Sequence, residues 1–201
     1  MASKPFEIIV APFVIYWAPT GTAFPDLNDA PPAPWAKVGT SGDRNYSEDG
    51  VVVVHGQTIE QFRTLGSTGP VKVNRTEESL IIRFTLWDML LEQYRLALNN
   101  NSVTTIAAAS GTAGTKDIDL YRDIDVVTMA LLARGDVSPE GNNWKSQYQI
   151  PWCFQSAEPE PTFQKGAPMG LSLEFTAVED PDAASDNLRF GKLVVQNADA
   201  L

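Results

Sequence analysis

Cysteine and histidine are almost missing from this chain of 201 residues: Cys153 and His55 each stand alone. One thiol excludes an intrachain disulfide, and one Cys with one His excludes a His/Cys zinc site within a single chain. No Gly-x-Ser-x-Gly elbow accompanies His55, which follows four valines at 51–54. A strand histidine is expected there rather than the base of a catalytic triad. A Cys153–His55 dyad has no support beyond the presence of both residues. Flanked by Trp152 and Phe154, Cys153 reads as a buried thiol in a packed strand, which fits a cytoplasmic origin. Long apolar runs are also missing. Nothing reaches the roughly 18 residues of a membrane span, and no basic start leads an apolar run to a cleavage site, so no secretion signal is expected. Basic residues are in deficit, 15 Lys and Arg against 25 Asp and Glu, for a net charge of -10. Such a surface disfavours binding to nucleic-acid backbones and anionic membranes.

What remains is a chain with 43% hydrophobic residues, long enough to bury a core without staples. Its dominant pattern has period two. Leu80, Ile82, Phe84 and Leu86 share one strand face. Leu171, Leu173, Phe175 and Ala177 share another, opposite Ser172, Glu174 and Thr176. Tyr148, Ile150, Trp152 and Phe154 share a third, opposite Gln147, Gln149 and Gln155. Alternation of this kind predicts half-buried antiparallel strands. Pro151 removes a ladder donor and predicts an edge or a bulge. Residues 6–17 and 51–54 are apolar on both faces and predict strands covered on both sides. The fourfold spacing Leu86, Leu90, Tyr94, Leu98 predicts one amphipathic helix over about 86–98, with Thr85 and Asp88 at capping-box spacing and Asn99-Asn100-Asn101 ending it. The fold expected is mainly β, an antiparallel sandwich or barrel with that single flanking helix, forming one domain over 1–201. Extended arms are expected at both ends, and long loops at 19–34, 41–50, 99–117 and 158–170. Several long loops in one small β domain suggest segments that order against something else, such as a neighbouring subunit.

Candidate chemistry is sparse. Gly111-Thr112-Ala113-Gly114-Thr115-Lys116 lacks the Gly-Lys-Ser/Thr ending of a phosphate loop and reads as a flexible loop. Ser41–Asp43 and the stretch 47–50 offer oxygen ligands without calcium-loop spacing. In a strand, Asp117, Asp119, Asp123 and Asp125 would share one face, with Ile118, Leu120 and Ile124 on the other. That face reads as solvated or lumen-facing. A divalent-cation site and a glycosidase acid/base pair are the alternatives. No cofactor is expected.

Six stretches, in this order and spacing, carry a resemblance: APFVIYWAPTGTAFP at 11–25, WAKVGTS at 35–41, EDGV at 48–51, VKVNRTEE at 71–78, FTLWD at 84–88 and ALLARG at 130–135. The chain resembles the major tail tube proteins of long-tailed, non-contractile bacteriophages over most of its length up to about residue 180. The resemblance implies a β-sandwich or barrel subunit of a fold shared with contractile-tail and type VI secretion tubes. It implies a structural and not an enzymatic role: self-assembly into rings, commonly hexameric, that stack into a virion tail for genome delivery. Tail-tip, tape-measure and terminator proteins would be partners, and DNA would pass without specific binding. The chain would be made in the host bacterial cytoplasm and would not bind membranes. An acidic face such as Asp117, Asp119, Asp123 and Asp125 suits a lumen that must not hold DNA. Arg44, Asn45, Tyr46, Glu48 and Asp49, together with the termini, are the expected contact between rings. The alternatives are another virion β protein (terminator or decoration) and a carbohydrate-binding module using Trp17, Trp35 or Trp144.

Overall fold

Residues 8–141 and 143–198 are described by the computed structural model and are mainly antiparallel β. The strands are β1 (Phe13–Pro19), β2 (Ala36–Lys37), β3 (Val52–Phe62), β4 (Lys72–Leu86), β5 (Val103–Ile106), β6 (Thr115–Ile118), β7 (Met129–Gly135), β8 (Ser146–Gln155), β9 (Leu171–Ala177) and β10 (Lys192–Val195). One sheet runs in the order β2-β1-β7-β8-β9-β4-β3, with β10 also paired to β8, and β5-β6 forms a separate hairpin.

The two clearest alternations lie side by side. Register sets Ile82 opposite Phe175, Phe84 opposite Leu173 and Leu86 opposite Leu171, so both buried faces coincide. Ile15, Met129, Leu131 and Ala133 of β1 and β7 belong to the same core, which requires the continuous sheet to curl over itself. The expected sandwich is therefore made from one bent sheet. Strand β1 is covered on both sides, as its sequence predicts. Ile15 enters the main core, while Ala18 packs with Trp35, Ala130 and Leu132 in a second cluster. The strand starts at Phe13, however; residues 8–12 form no strand and 1–7 lie outside the described residues.

Pro151 marks a bulge inside β8. Met129 pairs with Cys153 and Leu131 with Ile150, so three steps on β8 match two on β7. The same point is where the partner on the other side changes, from β10 at 146–149 to β9 at 153–155. The extra residue reverses the alternation. Ile150 and Cys153 enter the core, and Trp152 and Phe154 do not, contrary to the simple period-two expectation. Gln147 and Gln149 are buried as well.

The residues at 19–34 cover those glutamines. The Gln147 Nε2 donates to Pro25 O at 3.0 Å, and Trp35 Nε1 donates to Ala23 O at 3.0 Å. Arg134, itself buried, donates to Gln147 Oε1, to Asp26 O at 2.9 Å and to Asp29 O. This proline-rich loop is thus fastened to its own chain, and needs no neighbour to hold it.

The helix is shorter than its sequence pattern predicts. Strand β4 continues through Leu86, and helix α1 covers only Leu91–Tyr94 before a 3-10 turn at Arg95–Leu98. Leu86 pairs with Leu171 and bridges Tyr46, and these ladder bonds prevail over the helical spacing. Thr85 lies beside Ser172 and caps nothing. Asp88 instead joins two segments: its carboxylate accepts from Thr40 N at 2.7 Å, Thr40 Oγ1 at 2.6 Å and Leu90 N at 3.2 Å. The Asn run does stop the helix, with Asn99 and Asn100 at φ 55 and 58.

Burial opposes ionisation of Asp88, yet the Thr40 and Leu90 hydrogen bonds hold its pKa below the usual value. A carboxyl whose folded pKa is depressed stabilises the fold above its unfolded pKa, near 4, and loses that contribution as pH falls through the folded value. Asp88→Asn should therefore flatten the decline in the urea midpoint as pH falls below about 4, relative to wild type.

Candidate assembly surfaces

The β3–β4 hairpin extends beyond the core it helps to build. Its inward face begins with the pairs Val53–Ile82 and His55–Leu80 and continues through Gln57–Glu78. A bulge between Thr58 and Ile59 follows, and Ile59–Arg75 and Gln61–Val73 carry the face onward. Residues 57–62 and 71–78 are exposed on both strands. At about 3.3 Å per residue, the overhang reaches roughly 20 Å. Its apolar side chains are uncovered: Ile59, Phe62, Leu65, Val71 and Val73. Local contacts shape it, including Val71 N to Phe62 O at 2.8 Å and Thr58 Oγ1 to Glu77 Oε2 at 2.9 Å. The Arg75–Glu78 pair at 3.4 Å is half-exposed and adds little.

The large sheet also ends openly. Among the described residues no ladder joins β2 to β3, so the outer edge of β3 has no strand partner. Unpaired edges accept further strands unless something shields them.

The aspartate run takes a different form from the strand face expected of it. Strand β6 ends at Ile118, with Asp117 opposite Thr104. Asp119, Asp123 and Asp125 lie on a loop, and Asp123 has φ 62 with its Oδ1 accepting from Ile124 N. Among the described residues, no three His, Cys, Asp or Glu side chains come together to hold a metal ion, and Asp117, Asp119, Asp123 and Asp125 do not share one strand face. The loop is fixed from below. Asn99 Nδ2 donates to Arg122 O at 2.6 Å and Asp125 O at 2.8 Å, and its Oδ1 accepts from Val127 N at 2.7 Å. Asn101 Nδ2 donates to Asp119 O and Tyr121 O, both at 2.8 Å. Nor is 99–117 an open loop: β5 and β6 form a hairpin within it. Lys116, the last residue of the phosphate-loop-like stretch, pairs with Glu92.

The stretch 41–50 contains a 3-10 turn at Gly42–Asn45, and its members divide. Arg44, Glu48 and Asp49 are exposed and remain available for contact, and Asn45 is half-buried with Oδ1 accepting from Ser41 N. Tyr46 is not a contact residue. It is 6% exposed and packs on Phe84, and its hydroxyl accepts from Ile15 N at 3.0 Å while donating to Val38 O at 2.9 Å. Burial pushes its phenol pKa up. Tyr46→Phe strands a buried donor and a buried acceptor, and should lower unfolding free energy by about 2 kcal/mol in urea titrations.

The remaining candidates separate in space. Cys153 is fully buried, its Sγ 3.3 Å from Met129 O, and burial raises its pKa, whereas His55 is exposed on β3. A buried, protonated thiol is a poor nucleophile. Trp35 is buried, Trp17 lies beneath the Arg95 guanidinium at 5.5 Å, and Gly141 lies against the Trp144 ring. Sequence reading missed the hairpin overhang, although Ser67-Thr68-Gly69-Pro70 between apolar stretches is a turn signal. It also missed the Asn99/Asn101 clamp, for which local sequence holds no signal. Among the described residues no helix is long and apolar enough to cross a membrane. No protein-family model matches the chain, and no curated protein matches it.

Proposed function

We propose that this chain is a structural subunit, not an enzyme, that assembles with copies of itself, and that its assembly is the tail tube of a long-tailed, non-contractile phage. The observation that carries self-assembly is the β3–β4 overhang, where Ile59 and Val73 prolong a core face into solvent and Phe62, Leu65 and Val71 beside them are uncovered as well. An apolar surface built onto a rigid strand pair is an interaction surface. The open β3 edge supports the same reading. Head-to-tail contacts between unlike surfaces close into rings when the rotation allows it. The step from ring to tail tube rests on the sequence resemblance and on the net charge of -10, which suits a conduit that must let DNA pass. Tail-tip, tape-measure and terminator proteins are the partners that reading implies, and the virion tail is the location.

Negative-stain electron microscopy and sedimentation velocity of the purified protein test it. Rings that stack into tubes are expected, with tail-tip nuclei accelerating the stacking. A monomer at every concentration, nuclei included, rejects self-assembly. Single rings that never stack favour a terminator instead.

A further inference from the structure

The loop at 119–127 displays a cluster of apolar side chains to solvent. Leu120, Tyr121, Ile124 and Val126 are each more than half exposed. A loop of this composition left free would fold its apolar side chains inward. Here Asn99 and Asn101 hold five of its main-chain groups in place. Such a surface is set before any partner arrives, which lowers the ordering cost of binding. Between this loop and the body lies a cleft of about 180 Å³, lined by Leu96, Val126, Val127 and Met129 together with Arg122 and Asp123 of the loop. That is below the roughly 300 Å³ at which small-molecule sites begin, and is suited to a single side chain.

The chain carries a counterpart. Near its tip, the β3–β4 hairpin presents Phe62 and a fully exposed Leu65. The charges at the two patches oppose one another: the tip, residues 60–74, holds Arg63 and Lys72 against Glu60, while Arg75 below it is paired with Glu78, and residues 117–127 hold four aspartates against Arg122. Each patch is uncovered on its own chain. Two unlike surfaces of opposite sign on one molecule make a heterologous contact between copies, not a two-fold one.

Resting on the self-assembly proposed above, we infer that the β3–β4 hairpin tip of one copy docks on the Asn-clamped 119–127 loop of the next, with Phe62 or Leu65 entering the cleft and Arg63 and Lys72 facing the loop aspartates. The occupant of each surface is a second copy of this chain. The loop carboxylates then face a neighbouring subunit, not a lumen.

Charge exchange tests this. One variant carries Arg63→Glu and Lys72→Glu; the other carries Asp119→Lys and Asp125→Lys, leaving Asp123 and its positive φ untouched. Each variant alone should associate at least about tenfold more weakly than wild type by sedimentation velocity, as like charges then meet across the contact. Mixing the two should restore assembly, since each hairpin then meets a loop of opposite sign. Restoration by mixing also demonstrates that both variants are folded. As an independent measurement, Leu65→Cys combined with Val126→Cys should yield a ladder of cross-linked oligomers under mild oxidation, since Cys153 is buried. If wild type assembles while both reversals assemble equally well and the cysteines do not cross-link, the docking is wrong and self-assembly stands. Assembly unchanged by Asp119→Lys and Asp125→Lys, with DNA passage altered, would place those carboxylates in the lumen and also overturn it. A wild-type chain that is always monomeric rejects both.

Discussion

A chain in which Asn-Gly replaces residues 60–74, closing a turn between the paired Ile59 and Arg75, is expected to fold normally and to stay monomeric. The removed residues reach none of the core: Phe62, Leu65, Val71 and Val73 are all exposed. An Asn-Gly turn suits the twist of a two-residue hairpin loop, so the shortened strands keep their pairing. The change in unfolding free energy should stay within about 1 kcal/mol, as for surface changes generally. Assembly should respond differently. If the overhang holds the centre of the contact, its loss should raise the concentration needed for rings by about two orders of magnitude or more. Thermal unfolding and sedimentation on the same sample separate the two effects. A shortened chain that still forms rings would shift the contact to the open β3 edge.

The largest effect on stability is expected at Arg134. Its guanidinium donates to Gln147 Oε1 from Nε at 2.9 Å and from Nη2 at 2.6 Å, and it holds the carbonyls of Asp26 and Asp29. Burial lowers its pKa, while Tyr16, Asp136 and Asp29 act in the opposite direction. Arg134→Met fills a similar volume but leaves Gln147 Oε1 and two carbonyls without this donor. A loss of about 3 kcal/mol is expected, read from urea midpoints. The loop at 19–34 should also become a site of early cleavage in limited proteolysis. Adding Gln147→Leu should cost less than its effect alone, because the stranded oxygen is removed with it. An additive double variant would mean that the two residues hold the loop independently.

The strands at 80–86 and 171–177 were legible because one of their faces is buried and period two is the direct imprint of that burial. Legibility ended where another force decided. The fourfold leucines ahead of 91 look helical, but Leu86 and Thr85 are committed to main-chain bonds with β9 that no local pattern announces. Tyr46 sits in a polar stretch, and only its contacts with residues distant in sequence, Ile15 and Phe84, make it core. One extra residue near Pro151 moved Cys153 into the position that alternation assigned to Trp152. The candidate surfaces were the least legible part. Their apolar residues obey no burial period because nothing in the single chain buries them. The clamp that shapes the 119–127 loop comes from Asn99 and Asn101, about twenty residues upstream, which sequence reading assigned only to ending a helix.

Strand β8 determines how the sheet carries mechanical load. The ladders from β1 to β3 are connected in series, so tension applied between those two strands must cross every junction between them in turn. Seven residue pairs join β1 to β7 and six join β4 to β9, but only three, at Cys153, Phe154 and Gln155, join β8 to β9. Because β8 divides its outer side between β10 and β9 at Pro151, lateral strain concentrates on that short seam. Pulled apart across its width, the sheet opens there, leaving β1-β7-β8-β10 on one side and β9-β4-β3 on the other.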